Sequence, residues 1–315
     1  MRFYLGVTDT NWFDRLRALQ PEDINFWQPS GRPLRGLEAG EPFLFKLKAP
    51  YRKIGGVAFF STFASFPLGI AWDAFGERNG CGTKAEFRAK IQGYRMKNNV
   101  APDPTETVGC IILTDPVFFA DDEMIDLPPE WDDHTVTGKF FSMSEASGAR
   151  LWDQVRQRLE ARKFLARQPE AAAGLLATSQ EPGWREVVSK VRIGQGAFLC
   201  LVTEAYSRAC AITGDHTLPV LEAAHIRPYS ESGPHAVSNG LLLRADLHKL
   251  FDDGYLTVTP DLHVEVSRAI REEFHNGKVY YALHGQRLLS SPIRDSDRPA
   301  AGFLEWHNEH VFKAG

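Results

Sequence analysis

The sequence predicts an α+β chain in three parts: an N-terminal small β-barrel or curved sheet interrupted by helices, a helical connector, and a C-terminal domain of short strands and one key helix. Three observations carry this. Short runs rich in aromatic and β-branched residues recur through the first 142 residues, beginning at Phe3, Phe43, Gly55 and Val108. A charged amphipathic stretch from Ser144 to about Lys163 then breaks the pattern. From about Trp184, short apolar runs alternate with Gly, Pro and Asn turns. The divisions fall at residues 1–142, 143–185 and 186–315.

Within the first part, Asn11–Leu19 has a helical spacing, with Trp12, Leu16 and Leu19 on one face, and Lys84–Tyr94 has another. The connector opens on Ser142–Glu145, which has the form of a capping box. Its helix carries Leu151, Trp152, Val155 and Leu159 as an apolar stripe, and a mixed helix and loop follows to about residue 185. In the third part, Cys210–Gly214 and the run ending at Ile226 read as two short β-rich pieces, with Pro228 and a Ser/Gly/Pro cluster marking a loop. Asn239-Gly240 is a turn signal. The sequence from Arg244 is helical, with Leu243, Leu247, Leu250 and Phe251 as its stripe. Residues 262–292 read as a strand, a helix or turn and an Asn-Gly turn, and Leu304–Phe312 as a terminal helix.

With 315 residues, 43% of them hydrophobic and 24% charged, the chain has the composition of a globular protein with sizeable cores. No run approaches the roughly 20 apolar residues needed to span a bilayer, and the start lacks the apolar segment of a signal peptide. The expectation is a cytoplasmic protein with no membrane partner. Cys81, Cys110, Cys200 and Cys210 form no Cys-x-x-Cys pair, which argues against a disulfide framework and a zinc ribbon. The net charge of −4 excludes a uniformly basic nucleic-acid binder. Lys84, Arg88, Lys90, Arg95 and Lys97 nevertheless cluster against the single acid Glu86. That cluster is either a solvated helix face or a surface for DNA backbone phosphates.

The chemistry concentrates in Leu221–Asp253, where His225 ends a strand, Asn239 sits at a turn and His248 lies on a helix. Phosphodiester hydrolysis needs a base to deprotonate water, a divalent cation to offset charge growing on phosphate, and a scaffold for both. His248 and Asp252, four apart on a helix, share one face. The segment resembles the HNH endonucleases of the ββα-metal class, and the resemblance extends from Val191–Phe198 and Ala205–Gly214 through Phe251–Val258. It implies that His225 is the general base, Asn239 the loop brace and His248 a metal ligand. Asp252 is either a second ligand or a helix C-cap residue. Many members of that class have a liganding Asp, Glu or His directly before the base, where this chain has Ala224. Glu222, two residues earlier on the same strand face, is the candidate replacement, with Asp215, His216 or water as alternatives. Such a donor set suits Mg, Mn, Ni or Zn. His235, His263, His275, His284, His307 and His310 read as ordinary surface or core histidines.

The order of elements in the first part resembles a PUA-like domain of the EVE type, through Phe26–Arg32, Gly40–Leu47 and the strand starting at Gly55. It departs at Trp27–Arg32, where the family has Trp-Asp-Gly-Val-Arg-Asn, and at Glu41, where the family has Asp. Fusions of the two domains resemble modification-dependent, type IV-like restriction endonucleases. That resemblance implies recognition of 5-methylcytosine or 5-hydroxymethylcytosine in double-stranded DNA, with the base flipped into an aromatic pocket. Trp27 would stack on the base and Gln28, Ser30 and Arg32 would bond its edge or phosphate. Phe63 and Trp72, placed beside the next glycine-rich loop, are further candidates. The competing reading makes these aromatics ordinary core residues. Cutting both strands requires two active sites, hence an expected homodimer. The alternatives are an HNH nuclease directed by phosphorothioate linkages or RNA, and a DNA-binding module whose HNH fold has lost catalysis.

Overall fold

The aromatic runs of the first part pair into one mixed sheet. Its strands are β1 (Arg2–Thr8), β2 (Asp23–Gln28), β3 (Pro42–Leu47), β4 (Ile54–Pro67), β5 (Thr107–Phe118) and β6 (Gly138–Ser142), in the order β2-β5-β4-β3-β1-β6. Strands β1 and β3 run parallel, and the other neighbours are antiparallel. The computed structural model describes residues 2–34, 36–98, 106–167 and 194–314, and divides into two units, Met1–Arg192 and Ile193–Gly315.

In the first unit β2 and β6 are the sheet's edges and do not pair with each other, so the expected barrel is an open, bent sheet. Strand β4, 14 residues long, carries register shifts between Val57 and Phe59 and between Phe60 and Thr62, irregularities of the kind that bend a strand. Its length also corrects one expectation. Phe63 lies within β4 and Trp72 on the helix that follows directly, with no glycine-rich loop between them. On β1, Gly6 lets the Phe43 ring lie against the backbone, where any Cβ would collide with it.

Helix α1 (Thr10–Leu19) starts at Asp9, whose carboxylate accepts from the Trp12 amide at 3.2 Å. It buries Trp12, Phe13 and Leu16, whereas Leu19, expected on that face, is exposed. Helix α2 spans Leu68–Phe75 and α3 spans Lys84–Lys97. Thr83 caps α3, and Glu86 returns to the Gly82 amide at 2.7 Å. Helix α4 (Ala146–Arg167) buries Leu151, Trp152 and Val155 in the core of this unit, with Trp152 and Phe141 flanking Phe3. The expected box at Ser142 does not form. Ser142 ends β6 and its hydroxyl contacts Ser144, because α4 starts only at Ala146. The connector beyond Arg167 and its boundary at 185/186 lie outside the described residues.

The second unit is built on helix α5 (Gln195–Ala205), the hairpin of β7 (Leu221–His225) and β8 (Gly240–Arg244), and helix α6 (Ala245–Asp252). The strand paired with β7 is thus β8. Cys210–Gly214, expected as a strand, forms a turn, with the Gly214 amide donating to the Cys210 carbonyl at 2.9 Å. Leu241, Leu242 and Leu243 are all fully buried, so this continuous apolar run is covered on both faces of the two-stranded hairpin. A second hairpin, β9 (Leu256–Val258) and β10 (Val264–Val266), precedes α7 (Ala269–Phe274), α8 (Lys278–Tyr281) and α9 (Ala301–His310). From α9 the buried His307 bonds the Thr257 hydroxyl at 2.8 Å and the Phe251 carbonyl at 3.1 Å, tying the last helix to β9 and α6. All four cysteines are buried. No helix among the described residues is long and apolar enough to cross a membrane.

Candidate active site

His225 stands at the end of β7, where pairing with Gly240 stops and a loop of irregular backbone begins. Asn239 closes that loop from below. It is fully buried, its Oδ1 accepts from the Arg227 amide, and its Nδ2 donates to the carbonyls of Arg227 and Pro234, each at 2.9 Å. One side chain therefore fixes the backbone two residues after His225 and one residue before His235.

His235 was expected to be a bystander, yet its Nδ1 lies 2.8 Å from Nε2 of His225. Phe198, on α5, stacks on the His225 ring at 3.8 Å and 13°, and Tyr229 stacks on His235 at 4.7 Å and 15°. Gly240 makes room for this seat: a Cβ there would stand 2.6 Å from Val202 Cγ2 and 3.0 Å from Phe198 Cζ. Burial, reinforced by His235 and His248, pushes the His225 imidazolium down to about 4. The ring is therefore neutral at pH 7, with a lone pair open to a proton.

His248 on α6 takes a carboxylate at each ring nitrogen: Glu222 Oε2 at 2.6 Å from Nδ1, and Asp252 Oδ2 at 3.3 Å from Nε2. His225, His248 and Asp252 line one cavity of about 330 Å³, together with Tyr229 and His307. Burial raises the Asp252 carboxyl above the usual range, and the neighbouring His248 opposes that shift. Asp252 faces the cavity; the C-cap position belongs to Asp253.

Among the described residues, no group of three or more His, Cys, Asp or Glu side chains is arranged to hold a metal ion. The pair of His248 Nε2 and Asp252 Oδ2 fits as two ligands, because adjacent donors around an ion with bonds of about 2.1 Å stand about 3 Å apart. Glu222, expected as the third ligand, instead bonds the far nitrogen of His248, the position from which a carboxylate orients a liganding imidazole. Ala224 is fully buried and adds no donor. The two alternatives are also engaged elsewhere. Asp215 caps the Thr217 amide at 2.8 Å, and His216 bonds the Arg208 carbonyl at 3.1 Å.

In the first unit, Trp27 and Gln28 line a cavity of about 460 Å³ with Trp12, Tyr94, Lys46 and Asp133 among its other walls. The Trp27 indole donates to the Asn79 carbonyl at 2.9 Å and meets Phe87 and Tyr94 edge-on. Ser30 and Arg32 are exposed in the turn after β2 and do not line the cavity. Phe63 and Trp72 do not line it either; Phe63 covers Gly109, and Trp72 packs near Phe87. Sequence reasoning missed Lys46, which is 9% exposed, lies 5.4 Å above the Trp131 ring and is held below the usual lysine range by burial. The signal was available: Lys46 and Lys48 alternate with Phe43, Phe45 and Leu47 at the period of a strand.

The cationic helix is α3, and three of its charges are paired. Lys84 pairs with Asp73, Arg88 with Glu106 and Lys90 with Glu86, on exposed or half-buried surface. Arg95 is a correction. It is buried and donates to the carbonyls of Pro29 and Thr107, so it joins two backbone segments and is turned away from the surface that a phosphate would reach.

Residues 210–259 match the family model described as HNH endonuclease. No curated protein matches the chain. Among solved structures, ASCH from Zymomonas mobilis is similar over 44% of this chain and 89% of that chain, at 13% identity and a TM-score of 0.31. A modification dependent TagI restriction endonuclease is similar over 93% of this chain and 76% of that chain, at 13% identity and a TM-score of 0.27.

Proposed function

Starting from an HNH endonuclease segment at residues 210–259, we propose that this DNA endonuclease reads modified cytosine, 5-methyl or 5-hydroxymethyl, with residues 1–142 and hydrolyses nearby phosphodiesters with residues 186–315. The observation that carries the nuclease reading is the single cavity shared by His225, His248 and Asp252 beneath a loop clamped by Asn239. His225 accepts the proton of the attacking water, for which a neutral ring is required. Phosphate entering the cavity brings negative charge that favours the protonated ring as it forms. Asn239 holds the loop, while Glu222, bonded to Nδ1, orients the ring of His248. His248 and Asp252 would hold a divalent ion of the Mg, Mn, Ni or Zn type, which when bound would neutralise charge on the phosphate and leaving oxygen.

The base-reading half rests on the first unit's cavity, whose volume lies in the range of small-molecule pockets and whose wall combines Trp27 with the polar Gln28. Lys84, Arg88 and Lys90 are the proposed backbone contacts, which requires exchanging exposed carboxylate partners for phosphate. Cutting both strands implies two copies of the chain on DNA, and a cytoplasmic location is consistent with that substrate.

A second reading, a DNA-binding module without catalysis, draws on Ala224 and on the absence of a third ligand among the described residues. One experiment separates them. Plasmid from methylating and non-methylating hosts is incubated with the protein and Mg, Mn, Ni or Co, with His225→Ala as control. Cutting confined to modified plasmid and lost in the variant is expected. Equal cutting of both plasmids removes modification sensing, and no cutting with any ion favours the binding module.

A further inference from the structure

We infer that His235 is a positioning residue that accepts a hydrogen bond from Nε2–H of His225 and so leaves Nδ1 of His225 as the lone pair that takes the proton from water. The inference deepens the nuclease reading and rests on His225 being its base.

The 2.8 Å contact between His225 Nε2 and His235 Nδ1 holds one proton, and two assignments are open to it. If His235 donates, the Nε2 lone pair of His225 is consumed and its neutral ring carries hydrogen on Nδ1, which leaves no basic site. If His225 donates, Nδ1 is bare. Only the second assignment lets the ring act as a base, and the proton transferred from water then goes to Nδ1 while Nε2–H stays on His235.

The surroundings hold this pair in register. The two rings meet at 66° with centroids 4.8 Å apart, and each is pinned by a different aromatic face, Phe198 on His225 and Tyr229 on His235. Neither ring turns without losing a stack. Asn239 anchors the backbone beside both histidines through Arg227 and Pro234, so the contact belongs to the same clamp that shapes the loop. His235 itself does not line the cavity, which restricts it to acting through His225.

The test uses the full chain with nitrogen-15-labelled histidine. Long-range proton–nitrogen correlation at pH 7 is expected to show His225 protonated on Nε2 in the wild type, with the Nδ1 tautomer gaining population in His235→Phe. That variant keeps a ring for Tyr229 but removes the acceptor. On methylated duplex, kcat of His235→Phe is expected to fall about a hundredfold with KM little changed. His235→Asn, which restores an acceptor oxygen near the position of Nδ1, should recover most of the loss. A wild-type His225 protonated on Nδ1, or a His235→Phe enzyme that cuts at the wild-type rate, overturns the assignment. The tautomer is read without substrate, so it decides this point even if the wild type fails to cut DNA, an outcome that would instead remove the nuclease reading.

Discussion

Replacing Asn239 by Ala tests the loop clamp. The substitution removes three hydrogen bonds of 2.9 Å from a fully buried position. Each is worth about 1 kcal/mol net, and a partner left without water costs about 1–3 kcal/mol more. Pro234 is exposed, so its carbonyl regains water, whereas the half-buried Arg227 amide and carbonyl regain it only in part. The three bonds alone come to about 3 kcal/mol for the second unit, and the unsatisfied Arg227 groups add to this, so the loss of amide protection is at least about a hundredfold. Hydrogen exchange followed by mass spectrometry on peptides spanning 221–244 reads this unit without interference from the other. Asn239→Asp sharpens the test: one oxygen still accepts from Arg227, but the second faces two carbonyl oxygens. It should be at least as damaging as Ala. Protection within threefold of wild type in the Ala variant, or an Asp variant as protected as Asn, would refute the clamp.

Glu222→Gln should weaken Mn or Ni binding by about 10–100-fold in titration calorimetry, because the carboxylate fixes the ring of His248; unchanged affinity would remove it from that role. His307 is depressed from 6.5 to about 4 by burial, so the folded protein binds fewer protons than the unfolded chain between those values. Its contribution is complete above pH 6.5 and is lost as pH falls towards 4, by about 3 kcal/mol at 1.36 kcal/mol per pKa unit. His225 acts with the same sign. Urea unfolding of the second unit at pH 7 and pH 4.5 checks this, and a His307→Gln protein with the same pH slope would contradict it. Trp27→Ala should cost at least tenfold in affinity for a methylated duplex, measured by fluorescence anisotropy, with little change for an unmodified one; parallel losses on both would return Trp27 to a purely structural role.

The parts of the site that were legible in the sequence are those set by local chemistry. Asn239 could be assigned to bracing through the resemblance, whereas the turn expected at Asn239-Gly240 does not form: Asn239 ends a 3-10 segment and Gly240 is extended at the start of β8. That His248 and Asp252 share a face follows from helical spacing alone. Partnerships made across the fold were not legible. His235 looks like any loop histidine until Asn239 anchors the Pro234 carbonyl, and Phe198 lies 27 positions before the ring it stacks on. Arg95 shares a helix with Lys84 and Arg88, but only the packing of α3 against Pro29 and Thr107 shows that it turns inward. The strand mistaken at Cys210–Gly214 has the same origin. β-branched residues in a short apolar run signal burial, and burial alone does not separate a strand from a packed turn.

The seat of His225 reaches beyond the matched stretch. Phe198, whose ring supports it, precedes residue 210, and His307, on the cavity wall, follows residue 259. A chimera receiving only residues 210–259 would inherit the reactive groups without the furniture that aims them, and would bring Gly240 against whatever bulk its host supplies in place of α5. The heritable unit of this chemistry is therefore the whole small domain, and motif transplantation should succeed only where a donor helix and tail travel with the hairpin.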